Sequence, residues 1–307
     1  MSSNLRLPYL FKRYGHHNVV RLIDPDLLDM TQPFFSASVA ERTGHVGMIG
    51  FDEWLSVQPE VSDGFANFSA IFHVSRCGST LLASNIRASG QAMVLSEPPF
   101  FRILRHRMWG SISADVAMRA CLAMLNAWRG WAQERGAPLV VKFGSQMHLH
   151  HRNLLDRMPA ARFIFLHREP SAVLESLSRK PPPYLQAGRL KELISLPIIT
   201  PTESDPVLIA ATHRYCAALD SFASLSRENM ISVGYEQLSA RYAEILAHFG
   251  LDPESAPPWC GQRDAKASGG EPKPYVPVSA ERLALFSESH NEILAYASWR
   301  YQIFLTG

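Results

Sequence analysis

The chain has 307 residues, of which 47% are hydrophobic and 10% aromatic, and its formal charge is +2. That composition argues against wholesale disorder, and the charge is too mild, with no long basic run, for a nucleic-acid partner. The four cysteines, at 77, 121, 216 and 260, form no C-x-x-C pair and no disulfide framework, which predicts reduced thiols. The opening MSSNLRLPYLFKRYGHH lacks an apolar stretch of signal-peptide length, and no later run approaches the roughly 20 apolar residues of a membrane span. A cytoplasmic protein with no membrane partner is the expectation.

Residues 1–66 carry short apolar runs broken by Pro and Gly, such as NVVRLIDPDLLDM and HVGMIGFDEWL, without a clear period. They read as an N-terminal extension of unclear structure. From residue 69 strand and helix patterns alternate. Short apolar strands are expected at Ala70–Val74, Met93–Leu95, Leu139–Phe143, Arg162–Leu166 and Met230–Val233, the lengths of buried parallel strands. Helices are expected at Ser79–Ala88, Ala114–Gln133, Met147–Arg157, Ser171–Ser178 and Asp205–Leu225, where Leu208, Ala211, Tyr215, Leu219 and Phe222 form a stripe. SARYAEILAHFG, from Ser239, ends on Gly250 as a C-cap would. RKPPPYLQAG and ESAPPWCGQRDAKASGGEPKPYVP read as long loops, which often line sites. The alternation predicts a doubly wound α/β fold, a parallel sheet of about five strands flanked by helices. A single domain is expected over 1–307, with its core at 67–278 and a C-terminal helix at 279–307.

The chemistry starts in AIFHVSRCGSTLLASNIRASG, a strand, a turn of small residues and a helix. Laid on the phosphate-loop pattern G-x-x-x-x-G-K-[ST], Gly78 takes the second glycine, but His73 takes the first and Ser79 the lysine position. The physical requirements of anion binding persist. Gly78 permits close backbone approach, the following helix offers free N–H donors and a positive dipole, Ser79 and Thr80 add hydroxyls, and Arg76 brings charge. The plain alternative is a strand–turn–helix connection with a Ser N-cap. Cys77 inside this loop has two readings, a thiol with a lowered pKa beside Arg76 and a helix N-terminus, or a small packing residue.

A second cluster, FIFLHREPSAVLES, puts a strand before Arg168, Pro170 in the first helical turn and Ser176 two turns on. An Arg at a strand end and a Ser on the next helix can grip one anion; the alternative is a surface pair of Arg168 with Glu169 or Glu175.

Together these motifs resemble the 3′-phosphoadenylyl sulfate-dependent sulfotransferases. In that family a motif like RCGST, here Arg76, Cys77, Gly78, Ser79 and Thr80 with Leu81 following, wraps the 5′-phosphosulfate. The R-x-P-x-x-x-x-x-S spacing of Arg168, Pro170 and Ser176 corresponds to the element that holds the 3′-phosphate. VGYEQL, at Val233–Leu238, is similar to the family's Y-E-[DQ]-L element. The resemblance covers roughly residues 70–275 and implies a P-loop-type form of the α/β fold, 3′-phosphoadenylyl sulfate as donor, adenosine 3′,5′-bisphosphate as product, no required metal, and a small-molecule or peptide acceptor. The family's frequent K-T-H element reads KFGS here, so Lys142 matches but Gly144 stands at the histidine position. VLSEPPFF resembles instead a branch that includes tyrosylprotein and bacterial sulfotransferases, which implies Glu97 as the base. A loop carboxylate paired with Arg102 or Arg105 is the alternative for Glu97, and a strand-end cation paired with a carboxylate is the alternative for Lys142.

As general base, Glu97 would take the acceptor's proton, and nearby anions are expected to raise its pKa. Arg76 and the loop N–H groups would stabilise charge on the leaving phosphate. More loosely, the resemblance extends to Lys180, to Tyr235 (equally a core residue) and to Lys266, Ser268 or Lys273 in the late loop. Rival readings are a P-loop kinase, whose Mg²⁺ needs an Asp at a strand end where VVKF and FLHR are basic, and a non-catalytic nucleotide-binding protein of the same fold. His148 and His151 share a helix face without an evident third metal ligand. Phe100, Phe101, Trp109 and Tyr184 read as an aromatic acceptor pocket or as core, with Arg102, Arg105 and Arg107 leaving an anionic acceptor open.

Overall fold

A computed structural model describes residues 6–40, 46–61, 63–108, 112–182, 185, 206–223, 225, 228–263, 273–274 and 278–306. Three strands open the chain, β1 (Leu7–Tyr14), β2 (His17–Ile23) and β3 (Val46–Gly50), with α1 (Phe35–Ala40) before β3 and α2 (Phe51–Ser56) directly after it. They form an antiparallel sheet in the order β1-β2-β3. Residues 1–66, read as unclear, therefore hold a sheet of their own. Its alternation is hard to see because the register slips between Pro8 and Leu10, and one slipped residue moves every later side chain to the other face.

The alternating region builds β4 (Phe68–His73), α3 (Ser79–Ala88), β5 (Met93–Ser96), α4 (Ala114–Glu134), β6 (Leu139–Lys142), α5 (His151–Arg157), β7 (Arg162–His167), α6 (Pro170–Arg179), α7 (Pro206–Ala223), β8 (Met230–Gly234) and α8 (Tyr242–His248). The five strands pair in parallel in the order β5-β6-β4-β7-β8. This is the expected P-loop-type α/β sheet. Every residue of β4 and β6 is buried, as a sheet covered by helices on both faces demands. The chain passes from β4 out to β5, back to β6, then across β4 to β7, so the topological switch lies at β4. Ligand sites of open α/β sheets form outside the carboxyl ends of the strands at such a point.

Local chemistry sets the helix ends. Ser113 caps α4 by accepting from the Val116 N–H at 3.3 Å, and Glu169 caps α6 through the N–H groups of Ser171 and Ala172, with Pro170 at its first position. Gly250, at φ +73°, closes α8 as anticipated, donating its N–H to Ala247 O while Leu251 N–H returns to Leu246 O. The stretch expected as one helix from Met147 begins instead as a 3₁₀ turn, Ser145–His150, before α5. The late loop contributes a two-residue ladder, β9 (Gln262–Arg263) with β10 (Lys273–Pro274). The C-terminal segment divides into α9 (Ala280–Ser289) and α10 (Asn291–Thr306).

α4 joins the two sheets, since it packs on β1 and on β6. Its Trp128 is fully buried, donates Nε1–H to the Pro8 carbonyl at 2.7 Å and meets Phe35 edge-on at 5.1 Å. One continuous cluster of buried apolar residues runs from Leu7 to Tyr301. Among the described residues no helix is long and apolar enough to cross a membrane.

Candidate active site

All five carboxyl ends of the parallel strands deliver a candidate residue. Arg76 follows β4, Glu97 follows β5, Lys142 ends β6, Arg168 follows β7 and Tyr235 follows β8. The backbone at two of these ends is unusual. Four non-glycine residues among those described have positive φ, and two of them are Arg76 (+61°) and Glu97 (+53°). Such conformations cost of order 1–3 kcal/mol and gather at sites that need a fixed geometry.

In the loop, Val74 N–H still bonds Leu166 O at 3.0 Å, so β7 holds the loop's start. Gly78 then turns the chain at φ +82° and becomes the N-cap of α3. A Cβ there would lie 2.7 Å from Tyr235 Cδ2 and 2.9 Å from Leu238 Cδ1. Only glycine satisfies both the turn and the close approach of the Tyr235 element. The Thr80 and Leu81 N–H groups lie in the first turn of α3, where a helix supplies no acceptor of its own. Ser79 is buried, while Thr80 is partly exposed. Cys77 is also fully buried and donates its S–H to Val74 O at 2.8 Å. Burial pushes its thiol up to about 12. The lowered-pKa reading of Cys77 is therefore overturned, because desolvation outweighs the charges around it.

Arg168 lies beside this loop and is largely buried. Its Nη1 donates to Arg76 O at 3.2 Å, its guanidinium sits 4.2 Å from the centre of the Tyr235 ring, and its Nε is 3.9 Å from Glu236 Oε1. Arg76 reaches across to the end of α6, where Nη2 donates to Lys180 O at 2.7 Å. Three stretches far apart in sequence, RCGST, REP and GYEQ, thus touch one another around the N-terminus of α3. Glu169 caps α6, and Glu175 faces Arg179 and Arg282. Ser176 lies half-buried on α6, and its carbonyl accepts from Lys180 N–H at 3.3 Å.

On the other flank Glu97 meets Lys142. Lys142 Nζ donates to Glu97 Oε1 at 2.5 Å, and Glu97 N–H donates to Lys142 O at 2.7 Å. The Lys142 side chain is wholly buried, whereas that of Glu97 is 41% exposed. Burial pushes the Glu97 carboxyl up, but the Lys142 ammonium and its hydrogen bond hold it below its ordinary value. The expected rise is thus reversed by a partner 45 residues away that no local pattern reveals. His73, where the phosphate-loop pattern has its first glycine, joins the same group. Its Nε2 lies 2.8 Å from Phe143 O and its Nδ1 2.8 Å from Val74 O, so it ties the ends of β4 and β6 together. The two carbonyls favour the protonated ring, but burial and then Lys142 hold it down to about 4, leaving a neutral imidazole.

Other expected residues lie elsewhere. Lys266 and Ser268 fall outside the described residues, as do Trp109 and Tyr184. Lys273 is described only by its backbone, opposite Arg263. Phe100 and Phe101 are buried and pack on one another and, through Phe101, on Phe143, so they serve the core rather than a pocket. His148 is buried with Nδ1 2.8 Å from Ser145 O, and no group of three metal-binding side chains occurs among the described residues. Sequence reasoning passed over His73 as a constituent of the site, although its mismatch with the loop pattern marked it.

No model of a known protein family matches the chain, and no curated protein matches it. Among solved structures it is similar to a sulfotransferase domain from the curacin biosynthetic pathway, with 15% identity over 74% of this chain and 97% of that one, at a TM-score of 0.43. A sulfotransferase domain from the Synechococcus PCC 7002 olefin synthase shares 16% identity over 76% and 97%, at 0.41. A gluconokinase from Sinorhizobium meliloti 1021 shares 18% over 61% and 93%, at 0.32. Likenesses this distant assign no activity to this chain, which leaves the function to the residues themselves.

Proposed function

We propose that this protein is a sulfotransferase that moves a sulfuryl group from 3′-phosphoadenylyl sulfate to a hydroxyl or amine of a small-molecule or peptide acceptor. The observation that carries the reading is the mutual contact of Arg76, Gly78, Arg168 and Tyr235 at the N-terminus of α3, with the Glu97–Lys142 pair alongside. Two guanidinium groups, a helix N-terminus and the loop hydroxyls form a donor set suited to a nucleotide with phosphates at two positions. When bound, that nucleotide supplies an electrophilic sulfur and a phosphate leaving group. Arg76 and the Thr80 and Leu81 N–H groups stabilise the charge that grows on the leaving oxygen. Arg168, with Ser176, holds the 3′-phosphate, and Tyr235 braces both the loop and the Arg168 guanidinium. Glu97 accepts the acceptor's proton as the new S–O or S–N bond forms, and Lys142 offers positive charge at the reacting end.

A kinase would need a carboxylate at a strand end to hold Mg²⁺. On the two strands that flank β4, β6 ends in Lys142 and β7 is followed by Arg168. Thermal shift separates the two. Adenosine 3′,5′-bisphosphate without Mg²⁺ should raise the melting temperature in wild type, and raise it much less in Arg168→Ala. Stabilisation by Mg·ATP alone would overturn the proposal in favour of a kinase. Binding of the bisphosphate without sulfate transfer to any acceptor of a broad panel would instead indicate a non-catalytic nucleotide-binding protein.

A further inference from the structure

Two residues, His167 and Arg168, make the corner between β7 and α6, and two tyrosines from helices outside every recognised motif hold that corner. Tyr215 of α7 donates its hydroxyl to the Arg168 carbonyl at 2.7 Å. The Tyr301 hydroxyl of α10 lies at hydrogen-bond distance, 2.9 Å, from His167 Nδ1. All three side chains are nearly sealed from solvent, with Tyr215 3%, His167 6% and Tyr301 9% exposed. Their rings pack together, Tyr215 on Tyr301 at 6.4 Å and Tyr301 on His167 at 5.6 Å, and Phe304 closes on His167 at 5.0 Å. Burial pushes both phenols up, and burial with Arg241 nearby holds His167 down to about 4, so this is a cluster of neutral groups.

We infer that Tyr215 and Tyr301 are positioning residues that hold the Arg168 carbonyl and the His167 ring, and so aim the Arg168 guanidinium at the 3′-phosphate of the nucleotide. The inference rests on the proposed role of Arg168. A held carbonyl fixes its peptide plane, one of the two planes that set the Cα–Cβ vector from which a long side chain projects; the other follows the end of β7. Arg168 has its tip constrained by Arg76 O and the Tyr235 ring, and its root by Tyr215. With both ends held, less side-chain freedom remains to be lost when an anion binds, and preorganisation of this kind appears as affinity. The C-terminal helix α10, remote from every nucleotide-binding motif in sequence, thereby becomes part of the specificity device.

The test is calorimetric titration of the full chain with adenosine 3′,5′-bisphosphate and with adenosine 5′-monophosphate, which lacks the 3′-phosphate. Tyr215→Phe and Tyr301→Phe keep the rings in the core and remove only the hydroxyls. Each should weaken the bisphosphate roughly fivefold, the scale of one neutral hydrogen bond, and leave the monophosphate within about twofold. In an Arg168→Ala background both substitutions should lose their effect on the bisphosphate. A purely structural role would weaken both nucleotides in parallel, or persist without Arg168, and either result overturns the inference. Unchanged bisphosphate affinity in both variants overturns it as well. If wild type binds the two nucleotides equally, the 3′-phosphate role of Arg168 falls first and the inference with it. The two tyrosines lie on different helices, so poor folding of one variant leaves the other to decide.

Discussion

At the level of single residues, Glu97 makes the sharpest claim, because its protonation is set by a visible partner. Its carboxyl is held below the ordinary value by Lys142, against the upward push of burial. A depressed pKa in the folded state means the ionised, base-competent form is present at neutral pH. It is lost only as pH falls through that lowered value. The kcat/KM profile should therefore show an acid limb below about pH 4.5, the ordinary glutamate value. Glu97→Gln should cut transfer by roughly 10²–10⁴-fold while bisphosphate binding persists. An acid limb near neutrality that survives Glu97→Gln would assign the base elsewhere. The residues of this site were unequally legible. RCGST and HREPSAVLES are local strings, each readable because one strand–turn–helix unit places its members. The Glu97–Lys142 pair joins two strands, and His73 bridges a third, so their contact depends on sheet order, which no local period encodes.

At the level of elements, α6 is the hub, since it carries Ser176, is capped by Lys180 against Arg76 and packs on α9. The contact with α9 includes a buried carboxylate, Glu175, only 3% exposed, with Arg282 Nε at 2.6 Å and Arg179 Nε at 3.5 Å. Breaking a buried pair is costly because a charge stays behind in a dry place. Here Arg282 is itself half-exposed and Arg179 remains, which softens the loss. Arg282→Ala should destabilise the protein by about 1–2 kcal/mol in urea unfolding, and more than Arg179→Ala does. Equal effects, or none, would mean that α9 is held by other contacts. The parallel strands and most long helices were legible because each is a wholly buried run or a continuous stripe. The 3₁₀ start before α5 was not, because Ser145–His150 has the composition of a helix and only the backbone tightens.

Across the whole molecule, the antiparallel N-terminal sheet and the parallel sheet share one apolar cluster, and Trp128 is the rivet between them. Its indole fills the space beside Phe35 and Trp131, and its N–H donates to the Pro8 carbonyl of β1. Trp128→Phe keeps an aromatic ring but removes that hydrogen bond and leaves a small void. Losing one such hydrogen bond costs about 0.5–1.5 kcal/mol, and the lost ring volume adds to it. If the chain is one cooperative domain, the variant should unfold in a single transition, with a lower denaturant midpoint and an unchanged slope. An N-terminal sheet that folds by itself would answer differently. Loosening its Trp128–Pro8 tie to α4 would split the transition in two, the first step reporting β1–β3 and the second the parallel sheet. Fluorescence and far-ultraviolet dichroism followed together distinguish these outcomes. Coincident curves support one domain in which the sheet of the first 66 residues is a structural wall of the nucleotide-binding core, and separated curves make it a second domain.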